Sequence, residues 1–406
     1  GLERTYQLLE KAGSPHQKLP PIFHIAGTNG KGSVSAYLFA IAKQLGFKTH
    51  CYTSPHLCRF NERIRIANNL IDDETLLRVL DEVEKLNENT PITFYEITTV
   101  AAFIAFAKIP ADLLILETGL GGRLDSTNVI KNPLASIITP IARDHEHFLG
   151  SELTQIAGEK AGIIKENVPV ISASQTKEVE KTLSKKAREM DAPIFFEGTD
   201  FTWEQTSTGE VKLECKNRVF TLPKPSLIGP HQIQNAALAA TSIIYSGNFT
   251  PLEDRLFSGI EFAEWPGRVQ FIEQGKLLNY RDSRPLWIDG AHNSHGATAL
   301  ATSLAQITDE KWTLIAGMLN TRKPDGVFIP LKNLISEIFT ITIPGQPASL
   351  SAQELSDNCQ DLGIKATAKS SLSAALSATS ESEFVVICGS LYLAGHALLL
   401  NDTLPE

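Results

Sequence analysis

Gly27-Thr28-Asn29-Gly30-Lys31-Gly32-Ser33 lies between an apolar run over 22–26 and a helical pattern over 34–44. A strand that breaks into glycines and a lysine just before a helix is suited to cradling phosphate. The glycines let backbone N–H groups turn toward one centre, the helix N-terminus adds positive potential, and Lys31 brings a mobile cation to the outer phosphates. A ligand-free strand-to-helix turn is the plainer alternative, but the order strand, Gly-Lys, helix favours phosphate. One departure is informative. The usual loop has Ser or Thr directly after the lysine as a magnesium ligand, whereas here Gly32 stands there and Ser33 follows. Magnesium is therefore expected to find its ligands elsewhere.

Working outward, short apolar runs at 22–26, 49–53, 113–116, 136–139 and 168–172 alternate with helical patterns, which predicts a parallel sheet flanked by helices. From about 194 to 227 the chain turns to β-prone segments separated by turns such as Ser207-Thr208-Gly209-Glu210, and a small antiparallel patch is expected. A helix over 232–246 follows. Trp265-Pro266-Gly267-Arg268 then punctuates the chain, and the strand-helix alternation resumes at 286–288, 312–316, 337–341 and 384–387. The Ser/Ala-rich stretch 370–382 is expected to be an exposed helix, and 384–400 a buried strand followed by a helix. A chain of 406 residues exceeds one ordinary core. The expected α/β fold therefore has a parallel-sheet P-loop domain over 1–265 carrying the antiparallel patch, a linker over 266–272, and a smaller Rossmann-like α/β domain over 273–406.

Lys plus Arg number 37 against 46 Asp plus Glu, a net charge of −9, so nothing draws the chain in bulk to nucleic acid or acidic membranes. A polyanionic substrate must be held by a local pocket. The five cysteines form no CxxC pair, which argues against a zinc site or a disulfide framework and fits a reducing, cytoplasmic setting. The uncharged run 225–252 is interrupted by Pro, His, Gln and Asn, so no bilayer span is expected. The numbering begins at Gly1 rather than Met, which leaves open what precedes it, and nothing visible suggests a targeting peptide.

Three residues beyond strand ends are candidate metal ligands: Ser54, Glu117 and His145. In an open parallel sheet the carboxyl ends of the strands share one edge, where ligands bind, so segments far apart in sequence converge there. Each also has a plainer reading: Ser54 as a turn hydroxyl before Pro55, Glu117 as a local cap, His145 or His147 as a loop histidine. After Glu117 comes a second glycine-rich turn, Gly119-Leu120-Gly121-Gly122-Arg123-Leu124-Asp125-Ser126, in which Arg123 or Asp125 can orient a polar substrate. In the second domain Asp289-Gly290-Ala291-His292-Asn293 opens a helix; Asn293 or Ser294 reads as an N-cap, while Asp289 and His292 are expected to face the first domain across a cleft.

These motifs resemble the Mur ligase superfamily and, within it, the folylpolyglutamate synthase and dihydrofolate synthase family. The resemblance runs nearly end to end. It is carried by Gly1-Leu2-Glu3-Arg4, the phosphate loop, Tyr52-Thr53-Ser54-Pro55-His56-Leu57, Asn61-Glu62-Arg63-Ile64, the Glu117 turn, Asp144-His145 with Leu149-Gly150, and Glu159-Lys160-Ala161-Gly162. His231-Gln232 with Asn235-Ala236-Ala237, Trp265 to Arg268, Asp289 to Asn293, and Gly389-Ser390-Leu391-Tyr392 complete it. The resemblance implies that Thr28, Asn29, Gly30, Lys31, Gly32 and Ser33 bind ATP phosphates and that Ser54, Glu117 and His145 hold magnesium. Asn235, Arg268 and Asp289 then complete the ATP site from the far side of the cleft. It also implies that Lys160 is carboxylated to support a second magnesium ion; the alternative is an ordinary ammonium paired with Glu159. The pterin side resembles Gly1, Thr93, Phe94, Tyr95 and Glu96 with Leu124, Asp125 and Ser126, and His292 lies near the incoming glutamate. Thr93-x-x-Glu96 also reads as a capping box opening a buried helix, with the aromatic pair facing the pterin. Two departures stand out: His147 competes with His145, and residues 317–325 match the family's loop only loosely.

The implied enzyme is an ATP-dependent amide ligase that phosphorylates a pterin carboxylate and lets the amine of L-glutamate displace phosphate. It would convert dihydropteroate to dihydrofolate and extend γ-glutamyl chains on reduced folates. ATP and magnesium are required, no organic prosthetic group is expected, and the chain is expected to be a monomer. The rivals are a monofunctional folylpolyglutamate synthase, a cell-wall amino-acid ligase of the Mur type, and a P-loop kinase or nucleotide-binding regulator.

Overall fold

A computed structural model of the chain describes residues 1–247, 256–379 and 381–405. The end of the uncharged run 225–252, and Ser380 of the expected helix over 370–382, lie outside these. The chain divides into two units. The first comprises Gly1–His56, Phe60–Ser226 and Gln232–Glu264; the second comprises Leu57–Arg59, Leu227–His231 and Trp265–Glu406.

The first unit is organised around β1 (Ile22–Ala26), every residue of which is buried. With β2 (Thr49–Tyr52), β3 (Ile64–Ile66), β4 (Asn69–Leu70), β5 (Leu113–Glu117), β6 (Ala135–Ile138), β7 (Val170–Ser172) and β8 (Ile194–Phe196) it forms a sheet ordered β4-β3-β2-β5-β1-β6-β7-β8. The strands from β2 through β8 run parallel, and β3 and β4 add an antiparallel ribbon at one edge. Parallel strands covered by helices need apolar side chains on both faces, which is why these runs are short, continuous and apolar. The chain leaves β1 toward β5 and β2 on one side and returns toward β6 on the other, so the strand order reverses at β1. Such a reversal opens a crevice at the carboxyl ends of the strands, and the phosphate loop follows β1 directly.

The helix Phe94–Lys108 covers one face and is buried from Thr98 to Phe106, consistent with its apolar residues lying on every side. It opens with the expected capping box: Thr93 accepts from the Glu96 amide, and Glu96 accepts from the Thr93 amide at 2.8 Å. The expected antiparallel patch is present as β9 (Phe201–Gln205), β10 (Val211–Cys215) and β11 (Arg218–Leu222). It starts later than expected, because Ile194–Phe196 extends the parallel sheet as β8 instead.

In the second unit β12 (Gln270–Ile272), β13 (Leu286–Ile288), β14 (Trp312–Ala316), β15 (Ile335–Thr340), β16 (Ala366–Ala368) and β17 (Val385–Cys388) are ordered β12-β13-β17-β14-β15-β16. All pairs are parallel except the edge pair β12-β13. The stretch 266–272, read as a linker, thus contains β12. The helix expected over 370–382 is shorter, Leu372–Ser377, and is half-buried rather than exposed: Leu372, Ala375 and Leu376 pack into the core. Leu57, brought in from far upstream, also packs on that core. A Cβ on Gly395 would lie 2.0 Å from the Leu57 carbonyl oxygen, and Cys58 donates its thiol to Gly395 at 3.4 Å. Among the described residues no helix is long and apolar enough to cross a membrane.

Candidate active site

The phosphate loop is drawn tightly against β6 and its following turn. Gly27 has a φ of +154°, and a Cβ there would fall 1.8 Å from the Thr139 hydroxyl oxygen, so only glycine fits without rearrangement. Thr28 anchors the loop: its amide donates to Pro140 at 3.0 Å, and its hydroxyl donates to the Ala142 carbonyl and accepts from the Ala142 amide, both at 3.0 Å. The Thr28 side chain is thus committed to holding loop shape, leaving backbone groups to face a ligand. Gly30, at φ +89°, is the N-cap of the helix Lys31–Gln44, and Ser33 is buried in that helix's first turn.

Two lysines meet at the Gly27 carbonyl. Lys160 Nζ donates to it at 2.7 Å and Lys31 Nζ at 3.3 Å, while Lys31 also reaches the Thr28 carbonyl at 3.4 Å. Lys31 Nζ lies 3.9 Å from Glu117 Oε1, a carboxylate only 2% exposed at the end of β5. Lys160 is equally enclosed. Burial, reinforced by the charge of Lys31 and opposed by Asp144 and Asp125, brings its pKa down from 10.5 to about 7. The alternative of an ammonium paired with Glu159 does not hold, because Glu159 binds Arg123 at 2.8 Å while Lys160 turns inward to Gly27. On a helix, adjacent residues point in different directions, so the two side chains diverge.

The hydroxyls of Ser54 and Tyr95 are neighbours, both shielded from solvent and neither in a well-formed hydrogen bond. The Tyr95 phenol, pushed well up by burial and then by the charge of Asp125, also feels Glu117. Ser54, Asp125 and Glu117 thus all lie close enough to the Tyr95 phenol to act on it. His145 caps a short helix in the left-handed conformation (φ +51°), with Nε2 3.9 Å from Asp144 Oδ1 and its side chain 46% exposed. A hydroxyl, a carboxylate and an imidazole are each ligands that a divalent cation accepts, although among the described residues no group of three or more His, Cys, Asp and Glu side chains is gathered to hold one.

The segment expected to face the pterin is divided by its helix. Phe94 is 65% exposed and packs edge-on to Phe60, whereas Tyr95 is half-buried, so close to Gly119 that a Cβ there would touch its ring at 2.4 Å. The two aromatics thus do not face one ligand together, since consecutive helical positions diverge. Glu96 is held by Arg4, with Nη2 at 3.0 Å, which gives the Gly1-to-Arg4 motif a partner that the sequence reading missed. Gly1 itself pairs with Glu3, at 3.6 Å. Leu124 is half exposed, and Ser126 is buried at the start of a short turn. Asp125 accepts from the amides of Gly119 and Leu120, both at 2.9 Å, and of Thr127 at 3.0 Å, so its first task is to close the loop around itself.

Asn235 departs from expectation. It belongs to the first unit and stands against the phosphate loop, where a Cβ on Gly30 would come within 2.7 Å of its Oδ1. The resemblance implies a place on the far side of the cleft, yet the helix Pro230–Ser246 brings it to the loop. In the second unit Asp289 is buried and accepts from the amides of Val269 at 2.8 Å and Ala291 at 2.7 Å. Burial raises its pKa, and Arg268 opposes that rise. Arg268 donates to the Gly267 carbonyl at 3.0 Å, and the His292 ring meets the Gly290 carbonyl at 2.8 Å. Asn293 is the N-cap, accepting from Gly296, so that reading holds.

A phosphate loop at the switch point of a parallel sheet, two lysines on its first carbonyl and a separate α/β unit define an ATP-dependent ligase of the Mur type. Residues 25–243 match the Mur ligase middle domain, and 278–400 match the dihydrofolate synthetase C-terminal domain. The chain is 35% identical to the dihydrofolate synthase/folylpolyglutamate synthase of Bacillus subtilis over 84% of its own length and 79% of that protein's. Among solved structures it is similar to Escherichia coli FolC in complex with DHPP and ADP, with 28% identity, TM-score 0.89 and coverage of 99% of this chain and 93% of that one. It is also similar to a bifunctional folylpolyglutamate synthase/dihydrofolate synthase with Mn, AMPPNP and L-glutamate bound, with 30% identity, TM-score 0.86 and coverage of 98% and 93%. The chain belongs to the dihydrofolate synthase/folylpolyglutamate synthase family.

Proposed function

We propose that this chain joins L-glutamate to a pterin-bearing carboxylate at the expense of ATP, acting both on dihydropteroate and on reduced folates that it extends through γ-glutamyl bonds. The observation that carries the reading is the meeting of Lys31 and the buried Lys160 at the Gly27 carbonyl, beside Glu117. A free carboxylate is a poor electrophile, so amide formation needs activation. Attack of the carboxylate oxygen on the γ-phosphorus of ATP breaks the bond to ADP and gives an acyl phosphate; the glutamate amine then adds to the carbonyl carbon, phosphate leaves, and the amine loses a proton.

Lys31 neutralises the charge that develops on the transferring phosphoryl group, and the amides of residues 29–33 hold the phosphates at the helix N-terminus. Ser54, Glu117 and His145 would hold a divalent cation, magnesium by family, which supplies charge neutralisation on the phosphates. Lys160 fits the family's carboxylated lysine. With a pKa brought to about 7, about half of its amine is available at pH 7 as the neutral nucleophile that adds to carbon dioxide, and a carbamate there would supply an anion for a second cation. Thr93, Glu96, Leu124, Asp125 and Ser126, with Tyr95 behind them, form the acceptor side. In the second unit we assign Arg268 and Asp289 to the nucleotide and His292 to glutamate. The acidic net charge and the free cysteines suit a monomeric cytoplasmic enzyme without nucleic-acid partners.

The test is phosphate release from ATP and L-glutamate with dihydropteroate in one reaction and tetrahydrofolate in the other. Glutamate-dependent release with both acceptors is expected. Release with tetrahydrofolate alone would make the enzyme monofunctional, and no glutamate dependence with either would end the proposal.

A further inference from the structure

His24 sits at the centre of β1, fully buried, in a strand whose other side chains are apolar. Its Nε2 lies 2.9 Å from the Thr127 hydroxyl oxygen. That hydroxyl donates to Asp125 Oδ1 at 2.6 Å, and the other oxygen of the same carboxylate accepts from Gly119 and Leu120. A chain of hydrogen bonds therefore leads from the middle of the sheet to the far end of the acceptor loop.

The proton positions follow from counting. Burial raises the Asp125 pKa, but each of its oxygens already receives two donors, which leaves no direction for a proton of its own, and Thr127 has one hydroxyl proton, which goes to it. The lone pair of that hydroxyl must then be met by a donor, so the imidazole carries its hydrogen on Nε2. The other ring nitrogen, Nδ1, is bare and buried with no hydrogen-bond partner. Burial, helped by the nearby charge of Lys165, keeps the ring neutral by bringing its pKa down to about 3.

Burying a ring nitrogen without a partner is unfavourable, and an apolar side chain at this strand centre would avoid the penalty. Stability alone supplies no reason for histidine here. The reason left is the hydrogen on Nε2 and what it holds.

We infer that His24 is a positioning residue for the acceptor substrate, fixing the Thr127–Asp125 pair and through it the loop from Gly119 to Ser126. The inference rests on the proposal that Leu124, Asp125 and Ser126 hold the pterin end. It adds that one strand registers both reactants: His24 sets the acceptor loop and Gly27, three residues on, opens the phosphate loop. Donor and acceptor thereby share a rigid reference, which is what an in-line transfer needs.

The experiment compares His24→Leu, which removes the donor, with His24→Gln, whose amide nitrogen reaches the place of Nε2. Thr127→Val, which deletes the hydroxyl at similar volume, serves as an independent break in the same chain. Hydrogen exchange of the segment holding Gly119 and Leu120 is measured together with KM for dihydropteroate and for ATP. H24L and T127V should speed exchange of those amides and raise KM for dihydropteroate, each by about tenfold, the scale of one lost charge-assisted bond, with KM for ATP little changed. H24Q should restore both. Unchanged exchange in H24L and T127V, or an equal rise in the two KM values, overturns the inference. If the wild-type protein is inert toward dihydropteroate, the substrate proposal falls and takes the acceptor role with it, while the exchange data alone show whether His24 holds the loop.

Discussion

Lys160 Nζ stands 2.7 Å from the Gly27 carbonyl oxygen, on the first residue of the phosphate loop, and Lys31 approaches the same oxygen at 3.3 Å. Two ammonium groups cannot comfortably share one carbonyl in a buried place, so the more enclosed of the two gives up its proton most readily.

At an ordinary lysine pKa, roughly one amine in three thousand is neutral at pH 7; with the pKa brought to about 7 it is about half. Only the neutral amine adds to carbon dioxide. Carbamate loading of Lys160 should therefore rise with pH through about 7, read by NMR of protein equilibrated with ¹³C-labelled bicarbonate. Lys160→Ala should lose turnover by at least about a hundredfold yet still bind ATP. Full activity in that variant would remove the carbamate from the mechanism.

Gly27→Ala and Gly46→Ala both place a side chain at positive φ, +154° and +84°, but only the first meets an obstacle, since nothing lies within 4 Å of a Cβ on Gly46. Gly46→Ala should lower unfolding free energy by about 1 kcal/mol, the cost of the backbone conformation alone. Gly27→Ala should lower it by about 2–4 kcal/mol or displace the loop from Thr139, weakening ATP binding at least about tenfold. Denaturant titration with nucleotide-binding isotherms separates the two variants, and equal behaviour would contradict the clash.

Thr93→Ala removes the hydroxyl that accepts from the Glu96 amide and should cost about 1 kcal/mol in thermal or denaturant unfolding. Arg4→Ala breaks the ion pair to Glu96, but Arg4 is 47% exposed, so solvent screening limits its effect to about 0.5 kcal/mol. A larger loss for Arg4→Ala than for Thr93→Ala would reverse this ranking.

His24 also makes stability depend on pH. Its pKa is about 3 in the folded protein against 6.5 for the free side chain, so between these values the unfolded chain binds a proton that the folded one does not. Its contribution is therefore constant above pH 6.5, falls as pH drops toward 3 by up to about 1.4 kcal/mol per unit, and is constant again below. The difference in unfolding free energy between wild type and His24→Gln should trace that window. A difference independent of pH from 7 to 4 would show that the ring is not buried neutral.

The strand, loop and helix around Gly27 could be read from residues because each is local: an apolar run, turn glycines, a lysine and a helical pattern are neighbours in sequence. The capping box at Thr93 and Glu96 was legible for the same reason. What was not legible depends on contacts across the fold. Asn235 stands beside Gly30 only because a distant helix returns it there, and Glu159 finds Arg123 rather than Lys160 because of the direction in which each side chain leaves its helix. Ile194–Phe196 has the same β-prone character whether it joins the antiparallel patch or the parallel sheet; the free edge beside β7 decides it. His24 did leave a signal, a lone histidine within an otherwise apolar run, but its partner Thr127 lies 103 residues away.

Leu57 has a consequence for how the chain can be divided. Residues 57–59 and 227–231 belong to the second unit although they are threaded through the sequence of the first. A fragment beginning at Trp265 is thus born without the residue that fills the space above Gly267 and Gly395, and a fragment ending at Glu264 carries that leucine with nowhere to put it. On the ribosome residues 57–59 are made long before Trp265, so a single cut at 264/265 does not part the chain into its two units.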